Sequence, residues 1–137
     1  MSKTNGHHKG QHLVLASGSR TRQAMLHAAG VAHTVLPADL DEGAIRDAMT
    51  AENNNVDPAD IAEVLSHAKA EHVSRQDAQG LVIGSDQVLA VDGQSYEKPT
   101  SPEEAQSALL KLRGKTHQLH TAVALALGGE VVWRHVE

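Results

Sequence analysis

The stretch from Leu81 to Pro99, LVIGSDQVLAVDGQSYEKP, constrains the fold more than any other part of the chain. Leu81, Val82 and Ile83 form a short apolar run of the kind that fills a buried strand. Gly84 interrupts the run, Asp86 follows, and Val88 to Val91 form a second run. Asp92-Gly93 then marks a two-residue hairpin turn, and Lys98-Pro99 closes the stretch. A carboxylate emerging from a buried strand beside a glycine is well placed for chemistry. The strand fixes it, and the glycine lets a ligand approach the backbone. The plainer reading, in which Asp86 ends a strand or bonds a turn amide, is favoured on spacing alone, because short motifs often arise without function.

Leu13 to Ala16 predicts a first short strand. Ser17-Gly18-Ser19 turns the chain into a helix over about residues 20–29, with Ser19 as cap, Gly30 as stop, and Ala24, Met25, Ala28 and Ala29 as its apolar face. A strand, a turn of small residues and a helix suit a phosphate. Free amides and the positive dipole end face the turn, and Arg20 and Arg22 add charge. The Gly-Lys-Ser/Thr element of a Walker loop is absent. A plain serine cap with surface arginines explains the same residues. Val31 to Leu36 predicts a second strand, followed by the acidic cluster Asp39, Asp41 and Glu42. Such a cluster is a solvated loop or, beside a phosphate, a source of one Mg²⁺ ligand. Residues 43–56 read mostly as loop with room for a short helix.

Asp57-Pro58 starts a helix, and Ile61, Val64, Leu65, Ala68 and Val73 keep helical spacing. Lys69, at the edge of that face, either snorkels to solvent or contacts a phosphate. Ser101-Pro102-Glu103-Glu104 is a capping box, with Ala105, Ala108, Leu109 and Leu112 as the buried face and Gly114 as the stop. Lys115 to Leu127 reads as a long strand, Gly128-Gly129 as a turn, and Glu130 to Val136 as a last strand. The order β-α-β-(loop)-α-β-β-α-β-β predicts one mixed α/β domain over residues 12–137, not a regular doubly wound one.

The core must be aliphatic, because Tyr96 and Trp133 are the only aromatics. A net charge of -5 provides no basic field for nucleic acid. With no cysteine, neither a disulfide framework nor a thiolate metal site can form, which suits a cytoplasmic protein. No apolar run reaches membrane-spanning length, and the first residues lack the apolar core of a signal peptide. Residues 1–11 read as a flexible polar tail. His7, His8 and His12 are a tail feature or metal ligands without a closed set.

Taken together, LASGSRTR at 15–22, Asp41-Glu42, His67-Ala68-Lys69-Ala70, GSDQV at 84–88, Asp92-Gly93, Lys98-Pro99 and GKTHQLHTAVAL at 114–125 resemble the Maf family of nucleoside triphosphate pyrophosphatases. The ordered set covers nearly all of residues 13–127. The resemblance implies a Maf/inosine-triphosphatase-like α/β fold, a mixed twisted sheet flanked by helices with a cleft for the nucleotide. It implies hydrolysis of a nucleoside triphosphate to monophosphate and pyrophosphate with a divalent cation, Mg²⁺ or Mn²⁺. Asp86 matches the catalytic carboxylate that accepts a proton from the attacking water. Ser17, Arg22, Lys69 and Lys98 match positions expected at the phosphates, and Glu42 joins Asp86 as a metal ligand. Family members are often homodimers.

Thr21 and Gln87 mark the substrate preference that the resemblance implies. Members acting on dTTP and UTP read Ser-Pro-Arg-Arg where this chain has Ser19-Arg20-Thr21-Arg22, and threonine where it has Gln87. GSDQV is similar instead to the subgroup associated with 7-methyl-GTP. Members also continue past the position of Val131 with an Asp-Lys-Ala-Gly-like segment and a glutamine-glycine element. Their absence here predicts a family fold incomplete at its C-terminal side, an exposed edge at Val131 to Val136, and a non-catalytic nucleotide-binding or septum-related role as the alternative function.

Overall fold

The computed structural model describes residues 12–137. The polar tail with His7 and His8 lies outside these residues. In chain order the elements are β1 (Leu13–Leu15), α1 (Arg20–Ala28), β2 (Thr34–Val35), α2 (Glu42–Glu52), α3 (Pro58–Gln76), β3 (Leu81–Val91), β4 (Gln94–Tyr96), α4 (Pro102–Leu112), β5 (Gln118–Leu127) and β6 (Glu130–Val136). One mixed sheet runs β2-β1-β3-β5-β6, with β4 paired to β3. β1 is parallel to β2 and β3, whereas the β3–β4, β3–β5 and β5–β6 pairs are antiparallel.

Apolar residues at alternate positions set the burial of this sheet. Val14, Val82, Val88, Ala122, Ala124 and Ala126 point to one face and are almost fully buried. There Ile61, Ala62, Leu65, Ala70 and Val73 of α3 close over them in three adjoining clusters. α3 starts as expected, with the Asp57 carboxylate accepting from the Ala59 amide at 2.9 Å and proline in the first turn.

β3 does not break at Gly84. It is one strand of 11 residues, so Asp86 lies inside a strand instead of ending one. Gly84 serves the helix rather than a ligand. A Cβ there would stand 2.2 Å from the Ser66 carbonyl oxygen and 2.7 Å from the Ala70 nitrogen. Only glycine lets α3 lie this close to β3. At the far end Asp92 and Gly93 take φ of 52° and 75°. Those values are the two left-handed positions of a type I′ hairpin, which joins Val91 to Gln94.

Four other expectations change. Residues 43–56 are not mainly loop: α2 spans Glu42–Glu52, capped by Asp41, whose carboxylate accepts from the Ala44 amide at 2.9 Å. Ile45 and Met49, four apart, pack against the Leu65 cluster and hold that helix down. The second strand shrinks to Thr34–Val35. The faces expected of α1 and α4 are not buried: Met25 is 65% exposed and Leu109 68%. Amphipathic spacing gives a helix a face but does not supply a surface to cover it. The expected edge at β6 is present, since that strand ends the sheet order. A bulge shifts its register between Leu125 and Ala126.

Candidate active site

β1 lies between β2 and β3, and the chain leaves it in one direction over α1 and returns in the other through α2 and α3. α3 covers one sheet face. α1 lies against Leu15, Ile83 and Val123 on the other, across a slot of about 240 Å³. The carboxyl end of β1 is therefore a topological switch point, where open α/β sheets bind ligands. β3 widens the opening. On this edge it pairs with β1 through Leu81–Ile83 and with β4 through Leu89–Val91, leaving Ser85–Val88 without a ladder partner. Asp86 sits in that gap.

Two groups of side chains meet there. On the α3 face Asp86 is 6% exposed. One carboxylate oxygen accepts from the Lys69 Nζ at 3.2 Å, and the other is buried with no hydrogen-bond partner among the described residues. Lys69 does not snorkel. Its ammonium also lies 2.6 Å from the Glu42 carboxylate and donates to the Ser85 carbonyl at 3.4 Å. One cation thus holds two carboxylates together, from the start of α2 and the middle of β3. Burial pushes the Asp86 pKa above the ordinary aspartate value. The Lys69 ammonium and, after it, the Arg46 guanidinium oppose that rise.

On the other side stand Arg22, Gln87 and Lys98, which share a cavity of about 350 Å³ with Tyr96 and Leu119. The Ser17 hydroxyl accepts from the Ser19 amide at 3.1 Å and from Arg22 Nη1 at 3.3 Å, so it aims the guanidinium at the mouth of the turn. Ser19 caps α1, accepting from the Arg22 amide at 3.3 Å. The cap and the phosphate-suited turn therefore coexist. Gln87 donates to the Thr121 hydroxyl at 2.9 Å. Asp86 and Gln87, adjacent in the chain, face opposite sides of the sheet because successive strand residues do so.

The structure thus unites Glu42, Lys69 and Asp86 by direct contact, ties Ser17 to Arg22, and places Lys98 beside Arg22 and Gln87. Thr21 is exposed, and no hydrogen bond among the described residues ties its side chain to the site. His12 is paired with Asp77 at 2.6 Å, and no group of three or more His, Asp or Glu side chains gathers as a metal cage among the described residues. A larger cavity, about 570 Å³, lies at the hairpin tip between Asn54–Pro58 and Asp92–Ser95 and contains none of these side chains. Sequence reading passed over Arg46. It lies one turn after Glu42 on α2, its Nε is buried without a partner among the described residues, and its Nη1 is 4.0 Å from the Glu97 carboxylate. The i, i+4 step from Glu42 becomes a signal once Ile45 and Met49 are read as a helix face.

This is a mixed α/β protein with a buried acid and half-buried lysine and arginine groups near a sheet switch point. The chain belongs to the Maf family: the family described as Maf-like protein matches residues 12–137. It is 44% identical over 124 residues to a 7-methyl-GTP pyrophosphatase of Mesorhizobium japonicum, covering 90% of this chain and 61% of that protein. It is 45% identical to a nucleoside triphosphate pyrophosphatase of Paramagnetospirillum magneticum, covering 90% of this chain and 63% of that protein. A 7-methyl-GTP pyrophosphatase of Brucella abortus is 42% identical over the same share of this chain. The chain spans about three-fifths of the length of these curated relatives.

Proposed function

We propose that this protein hydrolyses a nucleoside triphosphate to the monophosphate and pyrophosphate, with 7-methyl-GTP as the leading substrate and dTTP or UTP next. The carrying observation is Asp86: a carboxylate buried in the gap of β3 with one oxygen unpartnered, beside a lysine that it shares with Glu42. A buried acid left half-satisfied costs stability and points to a function. The names of the relatives support the reaction class. GSDQV supports the methylated base.

Glu42 and Asp86 fit a divalent cation. They converge on one ammonium, and the free Asp86 oxygen offers a further bond. Glu42 and Asp86 would hold such a cation, which would supply Lewis-acid polarisation of the phosphoryl group and a lowered pKa for water. The chain's own residues do the rest. Arg22, aimed by Ser17, and Lys98 neutralise the triphosphate. Asp86 takes a proton from the attacking water, and its raised pKa makes it a better base than an ordinary aspartate. Lys69 holds Asp86 and Glu42 in place. Gln87 faces the cavity and is placed to read the base. The exposed Thr21 keeps only its family position as support.

No helix among the described residues is long and apolar enough to cross a membrane. We place the protein in the cytoplasm, where nucleotides and reduced conditions are found, and propose a homodimer on the family resemblance. Pyrophosphate release from a panel of 7-methyl-GTP, dTTP, UTP and the common triphosphates, with Mg²⁺ or Mn²⁺, tests the reading. Turnover should fall by at least about 100-fold in Asp86→Asn. Equal turnover in that variant overturns the role of Asp86. Tight nucleotide binding without release of pyrophosphate favours the non-catalytic alternative.

A further inference from the structure

We propose that Arg46 is a phosphate-binding residue of this site, a third cation beside Arg22 and Lys98, which donates to the triphosphate and to the pyrophosphate that leaves. The inference rests on the nucleotide reading above. α2 puts Arg46 one turn beyond Glu42, on the side that faces Lys69 and Asp86. Its side chain is only 21% exposed, yet it makes no close ion pair, since the nearest carboxylate, Glu97, is 4.0 Å away. Its Nε is buried with no acceptor among the described residues.

A guanidinium nitrogen buried with its donor unused is costly, because its desolvation is not repaid. Its fork suits two phosphate oxygens at once. Asp86, the buried carboxylate nearby, already has an oxygen free, and the two groups do not bond each other. Each has a buried polar atom without a partner among the described residues, and Arg46 is near enough to Asp86 for its charge to act on it. A ligand carrying phosphate oxygens and a bound cation supplies what each is missing: acceptors for Arg46 and positive charge for Asp86. Glu97, 4.0 Å from Arg46 Nη1, lines the cavity that holds Arg22, Gln87 and Lys98.

The test measures binding of inorganic pyrophosphate with Mg²⁺ by calorimetry, together with turnover, in the wild-type chain, Arg46→Gln and Arg46→Lys. Arg46→Gln should bind pyrophosphate at least about tenfold more weakly, since charged hydrogen bonds are lost. Its melting temperature should not fall. Arg46→Lys should lie between the two, keeping charge without the fork, and carries the test if Arg46→Gln does not melt cooperatively. The same pair in the Asp86→Asn background separates the two possible roles. A residue that only balances Asp86 loses its effect there, whereas a phosphate ligand keeps its tenfold step. Unchanged pyrophosphate affinity in Arg46→Gln, or a loss that vanishes in Asp86→Asn, overturns the inference and leaves the nucleotide reading intact. A wild-type chain that neither binds pyrophosphate nor turns over any triphosphate overturns both.

Discussion

Both faces of the sheet are largely apolar, yet they have different fates. Under α3, Val82, Val88, Ala122, Ala124 and Leu65 are sealed from water. On the opposite face Leu119 is 52% exposed and Trp133 51%, with only α1 lying over the β1 end. The difference is not hydrophobicity. The sealed face is lined by small residues, alanines and Gly84, which let a helix approach and pack without voids. The open face carries larger side chains, and beyond α1 no described element seals Leu119 or Trp133 from water. Its apolar groups contribute little to folding here, since burial and not composition stabilises. The site lies where the faces meet: Asp86 and Lys69 draw rigidity from the packed side, and Gln87 and Lys98 look out on the open one.

The largest test of this contrast is Gly84→Ala. The added methyl meets the Ser66 carbonyl and the Ala70 backbone and forces α3 away, at a cost of more than about 3 kcal/mol. A small change in urea midpoint would mean that α3 packs more loosely than described. Leu65→Ala should cost about 3 kcal/mol, because it opens a cavity against Val88 and Ala122.

The pH dependence follows next in size. The Asp86 pKa is raised in the folded chain. Between the ordinary aspartate value and the raised one, the folded state keeps a proton that the unfolded state has released. That part of the stability is complete below the ordinary value and is lost as pH rises through the folded one. Asp86→Asn should remove the slope and melt higher than wild type near neutral pH. Lys69→Met removes the charge that opposes the shift, so the acid limb of the activity profile should move up in pH. An unmoved limb would assign that limb to another group. Smallest of all, Leu119→Ala and Trp133→Ser, on the open face, should change stability by no more than about 0.5 kcal/mol. Losses like that of Leu65→Ala would show that something covers this face in solution.

Much of this was legible before any coordinates. The caps at Ser19, Asp57 and Ser101, the hairpin at Asp92-Gly93 and the strands beginning at Leu13 and Leu81 follow from local chemistry, because each depends on residues within a few positions of one another. Asp86, Glu42 and Lys69 are singled out from strand, acidic-cluster and helix-edge positions and then by family resemblance, and in the fold they touch one another. α2 was underread because Gly43 and the Asn53–Asn55 run weaken its propensity, while Ile45 and Met49 gain their hold only from α3. Arg46 was missed with it.

The sequence by itself determined the mixed α/β class, the hairpin at Asp92-Gly93 and the helix starts. These rest on backbone geometry and short-range hydrogen bonds, which the chain carries wherever it goes. Tertiary structure alone decided the meaning of Gly84, which serves a helix and not a ligand. It alone decided which of two apolar faces is buried, and that Lys69 turns inward to join Glu42 and Asp86 across 27 residues of helix and loop and 17 of helix and strand. Burial and long-range pairing depend on which elements stack. Stacking depends on the fit of whole surfaces, which no local pattern specifies.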